Sequence, residues 1–198
     1  LLSMNDVPAF LVKHSQDFAI AITFDDGYKD NLINALPILK KYKVPATIYV
    51  TTHFAEDHKE LLKKVNFPTI NYAEQYLSWE EIRQLDQEKL ISIGAHTHTH
   101  PNLSFLDENE LEQELRYSKK LLEDQLGHEI RHFAYPYGTP ETSGEREFAM
   151  AQACGYQTAV STWLPPLTDH SLFNLPRYCI SGSLNTLNMA LKILGWQT

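Results

Sequence analysis

Residues 18–27 read Phe18-Ala19-Ile20-Ala21-Ile22-Thr23-Phe24-Asp25-Asp26-Gly27, an apolar run cut off by two carboxylates and a glycine. Such a run, bounded by turn residues, predicts a buried strand. Asp25 and Asp26 then stand at its C-terminal tip. Residues 29–42 follow with Leu32, Leu36 and Leu39 at helical spacing, and Pro37 either kinks that helix or marks its first turn. Residues 45–50 form a second strand, and 51–77 are the least regular stretch. Ser78 and Glu81 have capping-box spacing and open a helix with Ile82 and Leu85 inward. Leu90 to Ala95 is a strand ending at His96. Asp107 and Glu110 repeat the cap before a long amphipathic helix through Leu111, Leu115, Ser118, Leu122 and Leu126, closed by Gly127. Arg131–Tyr135 and Gln157–Ser161 read as strands around a helix at Glu145–Ala153. Pro176–Ile180 reads as a last strand, and Asn185–Leu194 as a terminal helix.

Strand–helix alternation of this kind implies parallel strands with helices outside. An open doubly wound sheet and a closed barrel both place ligands at the C-terminal strand ends. The first strand runs into an acidic pair with one glycine instead of a glycine-rich phosphate loop. The expectation is therefore an α/β fold, a distorted or incomplete (β/α) barrel of parallel strands with its site at the C-terminal strand ends.

Composition narrows the function. The 198 residues suit one domain, and a chain of this size buries roughly 70% of its unfolded surface without help from metal or disulfide. Seventeen basic against 25 acidic residues leave a net charge of −8, which excludes a nucleic-acid partner that would want a basic face. The longest apolar run, Phe18 to Ile22, falls far short of the ~20 residues of a transmembrane helix. The first residues, from Leu1 to Asp6, have neither the basic nor the apolar region of a signal peptide. The chain reads as a single domain over 1–198 and, because residue 1 is leucine, as a fragment or processed form shortened at its N-terminus. Cys154 and Cys179 make no disulfide framework and read as two buried thiols.

Three of the nine histidines fall in His96-Thr97-His98-Thr99-His100-Pro101. On a continuing strand, His96, His98 and His100 would stand about 6–7 Å apart on one face, too far to share an ion. A strand end curling before Pro101 brings His96 and His100 together and turns His98 away. One carboxylate with two imidazoles leaves coordination positions open, as in a catalytic metal site. In the acidic pair, one carboxylate then binds the cation while the other takes a proton from water; as a bare turn, the same pair would only cap the next helix. His14, His53, His58, His128, His132 and His170 read as structural or surface residues.

Three ordered motifs, Thr23-Phe24-Asp25-Asp26-Gly27, His96-Thr97 with His100-Pro101, and Phe133-Ala134-Tyr135-Pro136-Tyr137-Gly138, resemble the polysaccharide deacetylase family, carbohydrate esterase family 4 with its NodB-homology domain. The likeness runs from about residue 18 to about residue 161. It implies a distorted barrel and metal-dependent hydrolysis of acetyl groups from sugars. Carried onto this sequence, it makes Asp26, His96 and His100 the metal ligands and Asp25 the base. It places Tyr135 and Pro136 along the acetyl pocket and gives the Tyr137 backbone N–H to the oxyanion. The cofactor implied is a divalent metal, zinc first, although cobalt, nickel and iron suit these donors nearly as well. The substrate implied is a GlcNAc-containing polysaccharide or oligosaccharide losing N-acetyl groups, and the location implied is the cell envelope or secretion.

The chain departs from the family pattern twice. An arginine that commonly orients the catalytic aspartate is replaced by Ala134, and no histidine follows His170 to act as a late general acid. Arg177 is the candidate substitute cation, and His170 the candidate acid. Trp163 either stacks on a sugar ring or packs in the core. These departures leave two alternatives beside the N-deacetylase: a silent carbohydrate-binding domain that keeps the metal site, and an O-acetyl esterase. Oligomeric state is left open.

Overall fold

The computed structural model describes residues 1–13, 19–56, 75–163 and 172–180. Six parallel strands lie side by side in chain order: β1 Ile22–Phe24, β2 Ala46–Val50, β3 Ile91–Ala95, β4 His132–Ala134, β5 Thr158–Ser161 and β6 Leu175–Pro176. Helix α1 (Val7–Lys13) precedes them, and α2 (Leu36–Tyr42), α3 (Trp79–Asp86), α4 (Glu108–Leu126) and α5 (Glu145–Ala153) lie in the successive connections. A doubly wound sheet reverses its strand order at a switch point, whereas an unbroken order with a helix in each crossover builds a barrel wall. The strands form a curled half-barrel with helices outside, as expected of a distorted (β/α) barrel.

Local signals account for the helices. The Asp107 carboxylate accepts from Glu110 N at 2.9 Å while Glu110 accepts from Asp107 N at 3.0 Å, closing the capping box that starts α4. Ser78 and Glu81 do the same for α3. Gly127 takes the left-handed conformation that ends α4, with φ at 77°. Leu111, Leu115, Ser118 and Leu122 turn one face of α4 into the core. Each fully buried leucine stabilises the fold by about 1.5–3 kcal/mol relative to exposure. Pro37 stands in the first turn of α2, where its missing N–H costs nothing, and a π-helical turn over Asn31–Ala35 precedes it.

All five residues of β2 are buried, as befits a parallel strand covered on both faces. Its Tyr49 packs over β3 at Gly94, where an added Cβ would lie 2.5 Å from Tyr49 Cδ1 and 2.9 Å from the His132 carbonyl. Only glycine leaves that space. At the N-terminal strand ends, Met4 is buried and Leu2 N donates to Ile20 O at 2.9 Å. There Asn5 Oδ1 lies 2.8 Å from His132 Nε2, and Asn5 Nδ2 donates to Ser92 Oγ.

Several elements differ from their sequence reading. The first strand is shorter than Phe18–Phe24 and only half-buried, because among the described residues β1 lies at the edge of the sheet and its outer side meets a single bridge, Leu2 to Ala21. The last strand is Leu175–Pro176 instead of Pro176–Ile180, since the chain leaves the sheet at Arg177 and exposes Tyr178 and Ile180. Cys154 is buried as read, but Cys179 is exposed for the same reason. Phe18, His14, His58, His170 and the helix at Asn185–Leu194 lie outside the described residues. No helix among the described residues is long and apolar enough to cross a membrane.

Candidate active site

Three strand ends converge at the C-terminal edge of the sheet. Asp25 and Asp26 leave β1, His96 to His100 leave β3, and Tyr135 to Gly138 leave β4. Among the described residues, five non-glycine positions adopt left-handed backbone, and four of them are here: Asp26, Thr97, His100 and Tyr137. Such conformations cost of order 1–3 kcal/mol each and cluster where geometry serves a site.

The curl after β3 separates the histidines as the spacing suggested. Thr97 Oγ1 accepts from His100 N at 3.0 Å, and His53 N donates to the His98 carbonyl at 2.9 Å. His96 and His100 thereby face each other, ring centroids 4.9 Å apart, with Asp26 Oδ1 at 3.5 Å from His96 Nε2 and 3.3 Å from His100 Nε2. His98 turns the other way, its backbone N–H donating to Glu114 and its ring edge-on to Tyr117.

The orientation of the His96 ring follows from its partner. Its Nδ1 lies 2.7 Å from the Ala134 carbonyl, which can only accept, so Nδ1 carries a hydrogen and Nε2 is the nitrogen turned toward Asp26. His100 is held below its ordinary pKa by burial first and by neighbouring His96 second, against the pull of Asp26. Asp26 Oδ1 is buried yet makes no hydrogen bond. One ligand atom of each of Asp26, His96 and His100 thus lies within 4.8 Å of the other two. A carboxylate oxygen buried without a hydrogen bond is costly unless a cation sits against it. An Asp–His–His set with a backbone carbonyl fixing one ring's tautomer suits zinc or a similar divalent ion.

Asp25 points elsewhere. Arg177, just past β6, donates Nη1 to Asp25 Oδ1 at 2.6 Å and Nη2 to Oδ2 at 2.8 Å, with a further contact from Nη1 to Thr23 Oγ1 at 3.2 Å. Burial alone would raise the Asp25 carboxyl, but His96 and Arg177 outweigh it and hold it below its usual range. The guanidinium lies over the Tyr49 ring, 5.7 Å from its centroid. Ala134 packs in the same cluster as Tyr49. Tyr49 belongs to none of the three motifs, and Thr23, the first residue of the first motif, had no role assigned from sequence.

The third motif forms a pinned turn. Thr162 donates its backbone N–H to Gly138 O and its hydroxyl to Tyr137 O. A Cβ at Gly138, where φ is 66°, would lie 2.8 Å from Thr162 N, so this turn requires glycine. The Tyr137 N–H makes no hydrogen bond to any described residue, and the ring is exposed, edge-on to His100 at 5.1 Å. Pro136 is buried. Tyr135 is buried as well, its hydroxyl donating to Phe173 O at 2.9 Å. Trp163 is half-buried, packed against the core and 6.5 Å from Phe148.

The polysaccharide deacetylase family profile matches residues 13–159. YxkH of Bacillus subtilis (strain 168) is 31% identical over 150 residues, covering 76% of this chain and 47% of that protein. The poly-beta-1,6-N-acetyl-D-glucosamine N-deacetylase of Staphylococcus aureus (strain MRSA252) is 31% identical over 129 residues, covering 61% of this chain and 40% of that protein. The chain therefore spans less than half the length of these curated relatives. Among solved structures, the Streptococcus pyogenes deacetylase PplD in complex with acetate superposes with a TM-score of 0.77 at 25% identity, covering 97% of this chain and 78% of that one. The polysaccharide deacetylase BC0361 from Bacillus cereus gives 0.70 at 26% identity, covering 88% of this chain and 51% of that one. With the family's three motifs gathered at one edge of its half-barrel, this chain belongs to the polysaccharide deacetylase family.

Proposed function

We propose that this chain is a metal-dependent N-deacetylase acting on a GlcNAc-containing glycan. The observation that carries the reading is the convergence of Asp26, His96 and His100 beside an aspartate gripped by Arg177. A divalent cation held by that triad would polarise the acetyl carbonyl and acidify water. The relative that deacetylates poly-GlcNAc and the neighbour solved with acetate, the product of such a reaction, support the substrate class.

The chain's own groups then have defined tasks. Asp25, ionised and aimed by Arg177, accepts the proton of the attacking water. As the acetyl carbon becomes tetrahedral, its oxygen gains negative charge, and the Tyr137 N–H, which no described residue engages, donates to it; a fixed donor of this kind needs no reorganisation as charge develops. Collapse breaks the C–N bond, and protonated Asp25 hands its proton to the leaving amine. Pro136 and the Tyr137 ring border the acetyl group above buried Tyr135, and Trp163 supports the sugar side. His170, the acid suggested by sequence, is outside the described residues.

Acetate release from chitooligosaccharides and from acetylated xylan, measured with zinc, cobalt or nickel, tests the reading. The expected result is release from the amide substrate, with Asp25→Asn retaining metal and losing turnover. Release from xylan alone would make the chain an O-acetyl esterase. Sugar binding without release under any metal would make it a silent carbohydrate-binding domain.

A further inference from the structure

We propose that His53, Glu56 and His98 form a second divalent-cation site, separate from Asp26, His96 and His100. His98 is the histidine that the first site leaves over, and His53 read from sequence as an isolated residue. The fold brings them together with Glu56, one ligand atom of each lying within 4.8 Å of the others.

The geometry exceeds a chance ion pair. His53 Nδ1 and Glu56 Oε2 are 3.4 Å apart. Two ligands of a tetrahedral ion with bonds of about 2.0–2.1 Å stand roughly 3.3–3.4 Å apart. The Asp26–His100 edge of the first site, at 3.3 Å, falls in the same range. A His53–Glu56 pair alone gives no reason for a third donor, yet the His98 ring stands edge-on to His53, centroids 5.4 Å apart. His98 Nδ1 is 2.8 Å from the hydroxyl of buried Thr52. Metal-binding imidazoles habitually engage their second nitrogen in this way, which fixes ring and tautomer. With Nδ1 so engaged, His98 would bind through Nε2.

The backbone preorganises the site. The loop after β2 and the loop after β3 are joined by Thr52 N to Thr97 O at 3.3 Å and His53 N to His98 O at 2.9 Å. A cation across His53, Glu56 and His98 would clamp these loops, and the second of them carries His96 and His100. The His53 and Glu56 side chains are 36% and 38% exposed, so an ion can enter and complete its shell with water.

The test is zinc stoichiometry by equilibrium dialysis on the whole chain. The wild type should bind two zinc ions and Asp26→Ala/His100→Ala one. Adding His53→Ala or Glu56→Gln to that background should remove the last, and Thr52→Val should weaken it about 10- to 100-fold. In the otherwise native chain, His53→Ala alone should lower the count from two to one, which covers the case of a double variant that does not fold. Circular dichroism of each variant in chelator verifies its fold. A folded Asp26→Ala/His100→Ala chain that binds no zinc overturns the proposal, as does a stoichiometry indifferent to His53→Ala. Neither outcome depends on catalytic activity, so failure here is separable from failure of the deacetylase reading.

Discussion

The guanidinium of Arg177 grips both oxygens of Asp25, at 2.6 and 2.8 Å, and so ties the end of β6 to the end of β1. The two residues are 152 positions apart in the chain. A two-pronged contact fixes the carboxylate plane as well as its charge, which a single ammonium cannot do.

From that contact, Arg177→Ala should lower the kcat for acetate release by about 100-fold, the scale expected when a catalytic group is misplaced by an ångström. Zinc affinity at the Asp26 site should change only a few-fold. Arg177→Lys should recover little, because lysine lacks the fork. Wild-type turnover in either variant would show that Arg177 does not position Asp25.

Chelation should separate chemistry from folding. The core around Leu111, Leu115 and Leu122 is complete without an ion, so dialysis against a chelator should abolish acetate release and leave the far-ultraviolet circular dichroism unchanged. Added zinc should restore activity. Persistent activity in the metal-free protein would exclude metal dependence.

Gly94→Ala should destabilise the fold. The new Cβ would stand 2.5 Å from Tyr49 Cδ1 and 2.9 Å from a backbone oxygen that cannot retreat without breaking the sheet. Overpacking of this kind costs about 1–3 kcal/mol, or roughly 2–12 °C in Tm for a chain of this size. Because Tyr49 lies under Arg177, turnover should fall too. A thermal melt alongside the acetate assay reads both effects.

His132 should make the fold acid-sensitive. Burial first, and nearby Arg131 second, lower its pKa from 6.5 to about 4. Its ring is held neutral, Nδ1 against Thr158 Oγ1 and Nε2 against Asn5 Oδ1, each at 2.8 Å. The unfolded chain takes up this proton first, so the stability contributed by neutral His132 is complete above pH 6.5 and is lost as pH falls toward 4. The full loss is on the order of 3 kcal/mol. Urea unfolding of wild type and His132→Gln between pH 7 and pH 4 should show a shallower pH dependence in the variant. Equal slopes would remove His132 from the account.

Much was legible in the chain because its causes are local. The caps Ser78–Glu81 and Asp107–Glu110 act over three residues, and Gly127 ends α4 through its own backbone angle. The alternation of strands and helices identified parallel strands with helices outside, and the acidic pair after the first strand favoured the barrel; a parallel sheet gathers every strand end of one sense on one edge, so Asp25–Asp26, His96–His100 and Tyr135–Gly138 had to share it. The absence of arginine at Ala134 drew attention to Arg177, although nothing in its own neighbourhood showed that it would reach Asp25.

What the tertiary structure alone decided depends on contacts between distant segments. The position of β1 at the edge of the sheet, among the described residues, left it half-buried despite its apolar composition, and the chain's departure from the sheet at Arg177 exposed Cys179. The roles of Thr23 and Tyr49 around Arg177, and the meeting of His53 and Glu56 with His98, arise only when neighbouring strands deliver their loops to the same rim. Short-range hydrogen bonds and periodicity are written in consecutive residues. Which side chains meet across a curled sheet is set by strand order, register and the turn each loop takes, and no stretch of consecutive residues carries those.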